Sequence, residues 1–243
     1  MKPVVGIFSF SGCSGCQLEI IHQEDILMDL LGKVKMAYFP MLQEKNELSK
    51  VDVAIVEGSI STEKQAEGIK KIRELSTFLI AIGSCATHGG INSLRNPMPN
   101  AARYVYGEKV QSSGMHAEGI DKYVHVDYYL RGCPPIKEEF TDVLNTILLK
   151  AKPLVYNQPV CSECRLKENL CLLQHGALCL GPITFGGCGA LCPSNNLSCD
   201  GCRGQLADGN IKALTECLEA NGIRKNNMKK LIEMYNTARI VLT

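Results

Sequence analysis

The feature that most constrains the fold of this chain is a short glycine-containing loop that carries two cysteines, Cys13 and Cys16. An apolar run, residues 4–8, precedes the loop, and an amphipathic stretch, residues 17–31, follows it. A strand, a tight glycine turn and a helix N-terminus form the phosphate cradle of many nucleotide-binding proteins. Here thiols occupy the cradle. The loop therefore favours a bound metal centre over a nucleotide, and it disfavours a flavodoxin-type FMN enzyme.

Composition narrows the classes of protein that remain. The chain has 243 residues, 13 cysteines and a formal net charge of +1. This charge gives no argument for a nucleic acid partner, and no apolar run reaches the ~20 residues of a membrane span. The N-terminus leads directly into the first apolar run without a signal peptide, which predicts a cytoplasmic protein. In a reducing compartment, an odd number of cysteines favours metal ligands over disulfides.

Apolar runs alternate with amphipathic stretches through the first 153 residues. Strands are predicted over residues 4–8, 34–39, 51–56, 77–82 and 123–126, and helices over residues 17–31, 62–75 and 136–150. Thr62 is a suitable N-cap, and residues 89–120, which are rich in Gly, Pro, Asn and Ser, predict a long loop with one or two short helices. The alternation predicts an α/β fold with a parallel sheet covered by helices.

Four cysteines that are distant in sequence follow predicted strands of this sheet. Cys13 and Cys16 follow the first strand, Cys85 follows the fourth, and Cys133 follows the fifth. Because the carboxyl ends of parallel strands meet at one edge of a sheet, we expect the four thiols to lie there together. Four thiolates form the cage of an iron–sulfur cubane or of a structural zinc ion, so the pattern by itself leaves both metals open.

The motifs at these positions resemble those of a known family. They are Cys13-Ser14-Gly15-Cys16, Glu57-Gly58-Ser59-Ile60, Gly83-Ser84-Cys85-Ala86-Thr87-His88-Gly89-Gly90 and Arg131-Gly132-Cys133-Pro134-Pro135. In this order they resemble the motifs of [NiFe]-hydrogenase small subunits, which share a flavodoxin-like domain with an iron–sulfur subunit of respiratory complex I. Complex I subunits have adjacent cysteines at the first motif, whereas this chain has the hydrogenase form, C-x-x-C. The resemblance implies that Cys13, Cys16, Cys85 and Cys133 hold the proximal [4Fe-4S] cluster.

Three polar residues near this edge have roles that the sequence leaves open. The resemblance implies that Glu57 lies at the interface with a large subunit, where it either relays protons, fixes the loop backbone or forms an interface salt bridge. The same alternatives apply to Glu19. His88 closely follows Cys85, but four thiolates already complete the site, so we do not expect His88 to be a ligand.

The composition changes after residue 153, which predicts two domains, residues 1–153 and residues 154–243, joined by a linker at 153–159. Eight cysteines follow with the spacing C-x2-C-x6-C-x7-C-x8-C-x3-C-P-x5-C-x2-C. They are Cys161, Cys164, Cys171, Cys179, Cys188, Cys192, Cys199 and Cys202. Eight thiolates are what two cubanes require, and a Cys-Pro pair closes ferredoxin motifs. Two zinc sites would satisfy the same count, although the inner four cysteines do not form the usual zinc knuckles.

The spacing does not decide which four cysteines share a cluster, because ligands cross between motifs in two-cluster ferredoxins. One division that we considered places Cys161, Cys164, Cys171 and Cys192 in one cluster and Cys179, Cys188, Cys199 and Cys202 in the other.

Cys217, in a helix predicted over residues 210–220, is expected to be a buried apolar side chain. His175 is expected at the surface or beside a cluster, and a last helix is predicted over residues 226–239. Large aliphatic residues are too few in the cysteine-rich segment for an independent core, so the bound clusters are expected to stabilise its fold.

The C-terminal motifs, residues 186–194 and 199–204, resemble those of cytoplasmic small subunits of the F420-reducing, heterodisulfide-reductase-associated and sulfhydrogenase types. The resemblance implies an electron-transfer subunit with three [4Fe-4S] clusters, a flavodoxin-like domain and a ferredoxin-like segment. Its partners would be a large subunit that holds the Ni–Fe centre and a further electron-transfer subunit, either a flavoprotein, a ferredoxin-like protein or a heterodisulfide-reductase-associated protein. No catalytic residue is expected on this chain, apart from the relay suggested for Glu57.

Two other functions remain open at the level of sequence. One is an iron–sulfur subunit of a complex I-like or membrane-bound hydrogenase, against which the C-x-x-C and the cysteine-rich segment argue. The other is a zinc-stabilised interaction module without a redox role. The terminal electron acceptor, whether F420, a heterodisulfide, NAD(P) or sulfur, is set by other subunits and not by this sequence.

Overall fold

The structure is a computed structural model that describes residues 2–98, 103–104, 107 and 115–235. The chain divides into two compact units, Met1–Ala151 and Lys152–Thr243. Each unit has its own secondary structure and its own apolar clusters, so the two are described one after the other.

A five-stranded parallel sheet forms the centre of the first unit. Its strands are β1 (Val4–Ser9), β2 (Lys35–Tyr38), β3 (Val51–Glu57), β4 (Ser76–Ile82) and β5 (Tyr128–Leu130). They lie in the order β2-β1-β3-β4-β5, which is the doubly wound, flavodoxin-like order. The predicted α/β fold with a parallel sheet is therefore confirmed.

The register of the sheet aligns the carboxyl ends of four strands. Ser9 of β1 pairs with Glu57 of β3, Glu57 pairs with Ile82 of β4, and Ile82 pairs with Leu130 of β5. The loops that leave these strands consequently start from one line across the sheet. This is the edge at which doubly wound sheets bind their ligands.

Helices cover both faces of the sheet. They are α1 (Gly15–Ile21), α2 (Glu24–Lys33), α3 (Glu63–Leu75), α4 (Gly83–His88) and α5 (Lys137–Leu148), with 3-10 turns at Gly90–Arg95 and Ile120–Lys122. On one face Ile55 and Ile80 pack with Leu144 of α5, and on the other face Leu79 packs with Ile69 of α3. Burying each such side chain contributes ~1.5–3 kcal/mol, so the sheet is held rigidly between two apolar layers.

Two predicted elements of the first unit differ from the structure. The helix predicted over residues 17–31 is broken between α1 and α2, where the buried Gln23 accepts a hydrogen bond from Thr141 Oγ1 over 2.7 Å. The strand predicted over residues 123–126 is wrong, because β5 begins after Asp127. The Asp127 carboxylate accepts hydrogen bonds from Leu79 N and Arg73 Nη1, which pins the chain just before the strand. Of the predicted loop over residues 89–120, residues 99–102, 105–106 and 108–114 lie outside the described residues.

The second unit consists of short helices and 3-10 turns. Its elements are α6 (Val160–Leu166), α7 (Leu191–Ser194), α8 (Ile211–Ala220) and α9 (Lys225–Met234), with 3-10 turns at Leu172–His175 and Gly181–Ile183. Leu180 and Ile183 from the cysteine-rich segment pack with Leu214, Leu218 and Ile232 from the last two helices. A small apolar core therefore exists here, because the terminal helices supply the aliphatic residues that the cysteine-rich segment lacks.

Further differences concern the end of the chain. Cys217 is exposed, so the prediction that it is buried is wrong. The buried face of α8 is formed by Ile211, Leu214 and Leu218, and Cys217 precedes Leu218 by one residue, which rotates it about 100° around the helix. The last helix ends at Met234, and residues 236–239 of the predicted helix lie outside the described residues. None of the helices in the described ranges is both long enough and apolar enough to cross a membrane.

Candidate metal centres

The four cysteines of the first unit follow the aligned strand ends, either in a loop or in the first turn of the next helix. Cys16 is in the first turn of α1, Cys85 is in α4 directly after β4, and Cys133 follows β5 by three residues. Burial, followed by charge on Cys133 and Cys13, raises the pKa of the Cys85 thiol to about 11. Burial also raises the pKa of Cys16, with contributions from the charges of Glu57, Cys85 and Cys133. Each of the four thiols is thus in electrostatic contact with at least two others of the group.

Backbone hydrogen bonds join the loops of this first group. Phe10 N donates to Glu57 O over 2.8 Å, and Ser11 and Ser59 exchange backbone hydrogen bonds of 3.1 and 2.8 Å. On the other side, Ser84 N donates to Gly132 O over 2.8 Å. The loops after β1 and β3 are therefore joined as one pair, and those after β4 and β5 as another.

Gly83 allows the backbone after β4 to pass close to the Cys16 sulfur. Its φ is 82°, a left-handed value that favours glycine. A Cβ at this position would overlap Cys16 Sγ. The chain can therefore pass from β4 into α4 beside the Cys16 sulfur only because residue 83 has no side chain.

Glu57 fixes the backbone of the C-x-x-C loop from the end of β3. The residue is only 2% exposed, and its carboxylate accepts hydrogen bonds from Cys16 N (3.1 Å) and Gln17 Nε2 (2.7 Å). These contacts agree with the interpretation of Glu57 as a loop anchor, while its role as a proton relay stays a prediction. Glu19 is half-buried on α1, and His88 is buried with Nδ1 2.7 Å from Thr87 Oγ1.

A second group of cysteines forms around α6. Burial, followed by charge on Cys179, Cys164 and Cys171, raises the pKa of Cys161 to about 12. Burial likewise raises the pKa of Cys179, and charge on Cys164 and Cys171 contributes to the increase. Cys161, Cys164, Cys171 and Cys179 therefore lie together.

The third group comprises the remaining four cysteines of the segment. Burial raises the pKa of Cys192, and the charges of Cys188, Asp200 and Cys179 contribute. Asp200 lies between Cys199 and Cys202, so Cys192 lies near that turn. Burial also raises the pKa of Cys199, and the charges of Cys179 and Cys202 contribute.

These contacts bear on the division of the eight cysteines that we considered from the sequence. Cys179, which that division placed with Cys188, is in electrostatic contact with the first three cysteines of the segment and also with Cys192 and Cys199, so the division stays a prediction. Two local turns lie in this part of the chain, where Asn169 N donates to Cys164 O and Ala177 N donates to Leu172 O, next to Cys171. The chain folds back after Cys164 and after Cys171, which favours a grouping of the first four cysteines.

The donors around the sulfurs fit thiolates that bind an iron–sulfur cluster. The backbone N–H of Asn92 donates to the Cys85 sulfur, and those of Gly181 and Cys199 donate to the Cys179 sulfur; each lowers the pKa of its thiol. Cys199 N lies 3.3 Å from Cys179 Sγ. Such N–H···S bonds stabilise negative charge on cluster ligands and tune the cluster's potential.

The spacing of side chains also bears on the kind of metal centre. Within the described ranges, no three His, Cys, Asp or Glu side chains surround one ion-sized point. The four thiolates that bind a cubane lie farther apart than the ligands of a single ion, because each binds a different iron. The absence of such a point among the described residues therefore does not count against cubanes.

Sequence reasoning missed several residues that act on these sulfurs through hydrogen bonds. Asn92 donates through its backbone, Thr184 lies beside the Cys199 sulfur and lowers its pKa while its hydroxyl donates to Leu180 O over 2.7 Å, and Gln17 donates to the Glu57 carboxylate. None carries a motif signal, since backbone donors are independent of residue type. Glu163 was also missed, although an acidic residue between Cys161 and Cys164 was a visible signal.

Comparison with known proteins gives the class to which this fold and its cysteines belong. Residues 13–147 match the family model described as NADH ubiquinone oxidoreductase, 20 Kd subunit. The match covers more than half of the chain, and the chain belongs to this family.

Within the family, similar relatives are parts of hydrogenases. The chain is 40% identical over 217 residues to the delta subunit of sulfhydrogenase 2 from Pyrococcus furiosus, covering 88% of this chain and 92% of that one. It is 32% identical over 234 residues to a subunit of the F420-non-reducing hydrogenase vhu from Methanocaldococcus jannaschii, covering 83% and 81%. The chain is thus a hydrogenase-type oxidoreductase subunit, as its motifs predicted.

Solved structures agree with this assignment. An NAD+-reducing [NiFe]-hydrogenase in the H2-reduced state contains a chain with a TM-score of 0.58 and 25% identity, covering 64% of this chain and 96% of that one. The Ni-Fe-Se hydrogenase of Desulfomicrobium baculatum has a chain with a TM-score of 0.55 and 17% identity, covering 84% and 94%. The second likeness supports the fold alone.

Proposed function

We propose that this chain is the electron-transfer subunit of a cytoplasmic [NiFe]-hydrogenase. Three [4Fe-4S] clusters on the chain relay electrons between a Ni–Fe centre on a partner large subunit and a downstream redox subunit. In this proposal residues 1–153 hold the proximal cluster, and residues 154–243 hold the other two. The terminal acceptor is selected by the downstream subunit.

The observation that carries this proposal is the gathering of twelve cysteines into three groups of four. The proximal group is Cys13, Cys16, Cys85 and Cys133. The second group is Cys161, Cys164, Cys171 and Cys179, and the third is Cys188, Cys192, Cys199 and Cys202. A single group would suit a structural metal. Three groups on a chain whose relatives are hydrogenase subunits are better explained as a series of redox centres.

Each bound cluster would supply reversible one-electron transfer, and the protein would supply its ligands and its electrostatic surroundings. Glu57 holds the Cys16 backbone in place from the buried end of β3. Backbone N–H groups of Gly181 and Cys199 stabilise charge on the Cys179 sulfur, and that of Asn92 does so at Cys85. Burial of Cys16, Cys179 and Cys199 keeps water from these sulfurs.

Metal analysis under anaerobic conditions tests the proposal directly. Three cubanes predict about twelve irons and an equal amount of acid-labile sulfide per chain. A zinc-stabilised module predicts zinc and no visible absorption. The isolated chain should not reduce a dye with H2, whereas its complex with a large subunit should. H2-dependent activity of the isolated chain, or zinc in place of iron, would refute the proposal.

Serine substitutions test the grouping of the ligands. We expect Cys171→Ser and Cys179→Ser to perturb the same EPR signal, and Cys192→Ser to perturb a different one. Cys217→Ser is the matched control, because Cys217 is exposed on α8 outside all three groups. The grouping is wrong if Cys179→Ser and Cys192→Ser perturb one common signal while Cys171→Ser perturbs another.

A further inference from the structure

Glu163 connects the second and third cysteine groups through its carboxylate. The residue lies on α6 between Cys161 and Cys164, which both belong to the second group. Its Oε1 accepts a hydrogen bond from Gly187 N over 2.6 Å, and its Oε2 accepts one from Ala190 N over 3.1 Å. These two N–H groups stand on either side of Cys188 in the sequence. A side chain from one group thus holds the loop that carries a cysteine of the other.

The backbone of this loop needs such an anchor. Gly187 and Ala190 have φ values of 106° and 50°, outside the helical and strand regions, so this turn does not form a regular hydrogen-bond ladder. The carbonyl of Gly186 accepts a hydrogen bond from Arg203 Nε over 2.7 Å. Glu163 therefore holds the loop through two backbone N–H groups, and Arg203 holds it through the Gly186 carbonyl.

Glu163 also lies close to the sulfur of the loop. Its Oε2 is 3.9 Å from Cys188 Sγ. A carboxylate beside a sulfur that is to bind iron as a thiolate adds negative charge to the immediate surroundings of the cluster. Net charge around a cluster is one of the factors that set its reduction potential, because nearby negative charge disfavours the added electron.

We propose that Glu163 is a positioning residue that acts on the third cluster from the helix of the second. It fixes the Cys188 loop by two backbone hydrogen bonds, and its charge lowers the reduction potential of the cluster that Cys188 binds. The inference rests on the proposed function, since it presupposes clusters in both groups. A purely structural anchor would leave the potential unchanged when its charge is removed and the cluster is retained.

The test uses the complete hydrogenase complex and an EPR-monitored redox titration of all three centres. Glu163→Gln keeps the length of the side chain, removes its charge and leaves one oxygen for the two backbone donors, and Glu163→Asp keeps the charge on a shorter side chain. Glu168→Gln is the matched control, because Glu168 is exposed five residues further along and its substitution removes one negative charge from the same unit. Iron and sulfide are counted in each variant.

We expect Glu163→Gln to move the midpoint potential of one centre to a more positive value while the other two move less. The expected change is about tenfold in the reduction equilibrium, which is ~59 mV for one electron. Glu163→Asp should stay nearer to the wild-type value, and Glu168→Gln should match the wild type. Unmoved midpoints in a fully loaded Glu163→Gln complex, or an equal shift in Glu168→Gln, would overturn the proposal.

The iron counts keep the test decisive if the variant loses metal. Loss of about four irons from Glu163→Gln, with the other two EPR signals retained, supports the positioning role, because a cubane contains four irons. Loss of all three centres from both Glu163 variants would contradict it, because the effect would not then be specific to the Cys188 loop. A wild-type complex that lacks three cubane signals refutes the proposed function itself, which separates that failure from a failure of the role of Glu163.

Discussion

At the scale of single residues, the first cysteine group depends on a buried acid at the end of a central strand. Glu57 is flanked in the sheet by Ser9 and Ile82, and its carboxylate receives two hydrogen-bond donors from the start of α1. A buried donor that loses its acceptor costs about 1–3 kcal/mol. The C-x-x-C loop is therefore held in its conformation by a residue 41 positions away in the sequence.

We expect Glu57→Gln to lower the free energy of unfolding of the chain by about 1–3 kcal/mol. The carboxylate accepts one hydrogen bond on each oxygen. The amide replaces one of these oxygens by an NH₂ group, so one of the two donors loses its acceptor. Anaerobic urea unfolding followed by circular dichroism measures the change. Glu67→Gln is the control, since Glu67 is exposed on α3 and should change stability by less than about 0.5 kcal/mol. Equal stabilities of the two variants would contradict the anchoring role of Glu57.

At the scale of elements, local signals decided where several helices begin. Thr62 precedes α3 with extended backbone angles, and its side chain accepts a hydrogen bond from Gln65 N over 3.3 Å. The predicted N-cap is therefore confirmed. The end of the predicted first helix, in contrast, was set by a tertiary contact, because Gln23 at the break bonds to Thr141 on α5.

We expect Thr62→Ala to destabilise the chain by about 1 kcal/mol, because the cap hydrogen bond to the first turn of α3 is lost. Lys70→Ala, on the exposed middle of the same helix, is the control and should be neutral or slightly stabilising because alanine has the higher helix propensity. Urea unfolding midpoints report both effects. A Thr62→Ala variant as stable as Lys70→Ala would show that the cap contributes nothing.

At the scale of the whole molecule, the segment that follows the first unit is exposed and lacks regular structure. Residues 151–157 belong to no helix or strand, and Leu154 and Val155 are 70% and 59% exposed. Exposed connections of this kind are preferred sites of proteolysis. The predicted boundary at residue 153 lies within this segment.

We expect limited thermolysin digestion to cleave first at Leu154 or Val155 and to release two fragments that mass spectrometry identifies. On the proposed assignment, the N-terminal fragment keeps about four irons and the C-terminal fragment about eight. Leu166 and Leu197 are internal controls, because they are equally exposed but lie in α6 and in a turn hydrogen-bonded to Cys192 O. Initial cleavage at either control site would argue against a linker at residue 153.

Much of the fold and of the first site followed from the sequence. Alternating apolar and amphipathic stretches require a parallel sheet, and the carboxyl ends of parallel strands share one edge, so cysteines after strands had to approach each other. The fifth strand was misplaced because Val124 and Val126 have strand propensity, whereas the bonds of the Asp127 carboxylate to Arg73 and Leu79 determine where pairing starts. Strand propensity depends on neighbouring residues in the sequence, whereas these contacts join residues that are distant in it.

The sequence by itself determined the class of protein, the parallel sheet and the twelve cysteines that are candidates for cluster ligands, because these depend on residue type and spacing. Only the tertiary structure decided that Cys179 lies close to Cys161 and that Cys217 faces outward. It also decided that Glu163 reaches the Cys188 loop. Each of these depends on how turns and helices orient side chains in space, and spacing along a chain rich in glycine and short turns does not determine that orientation.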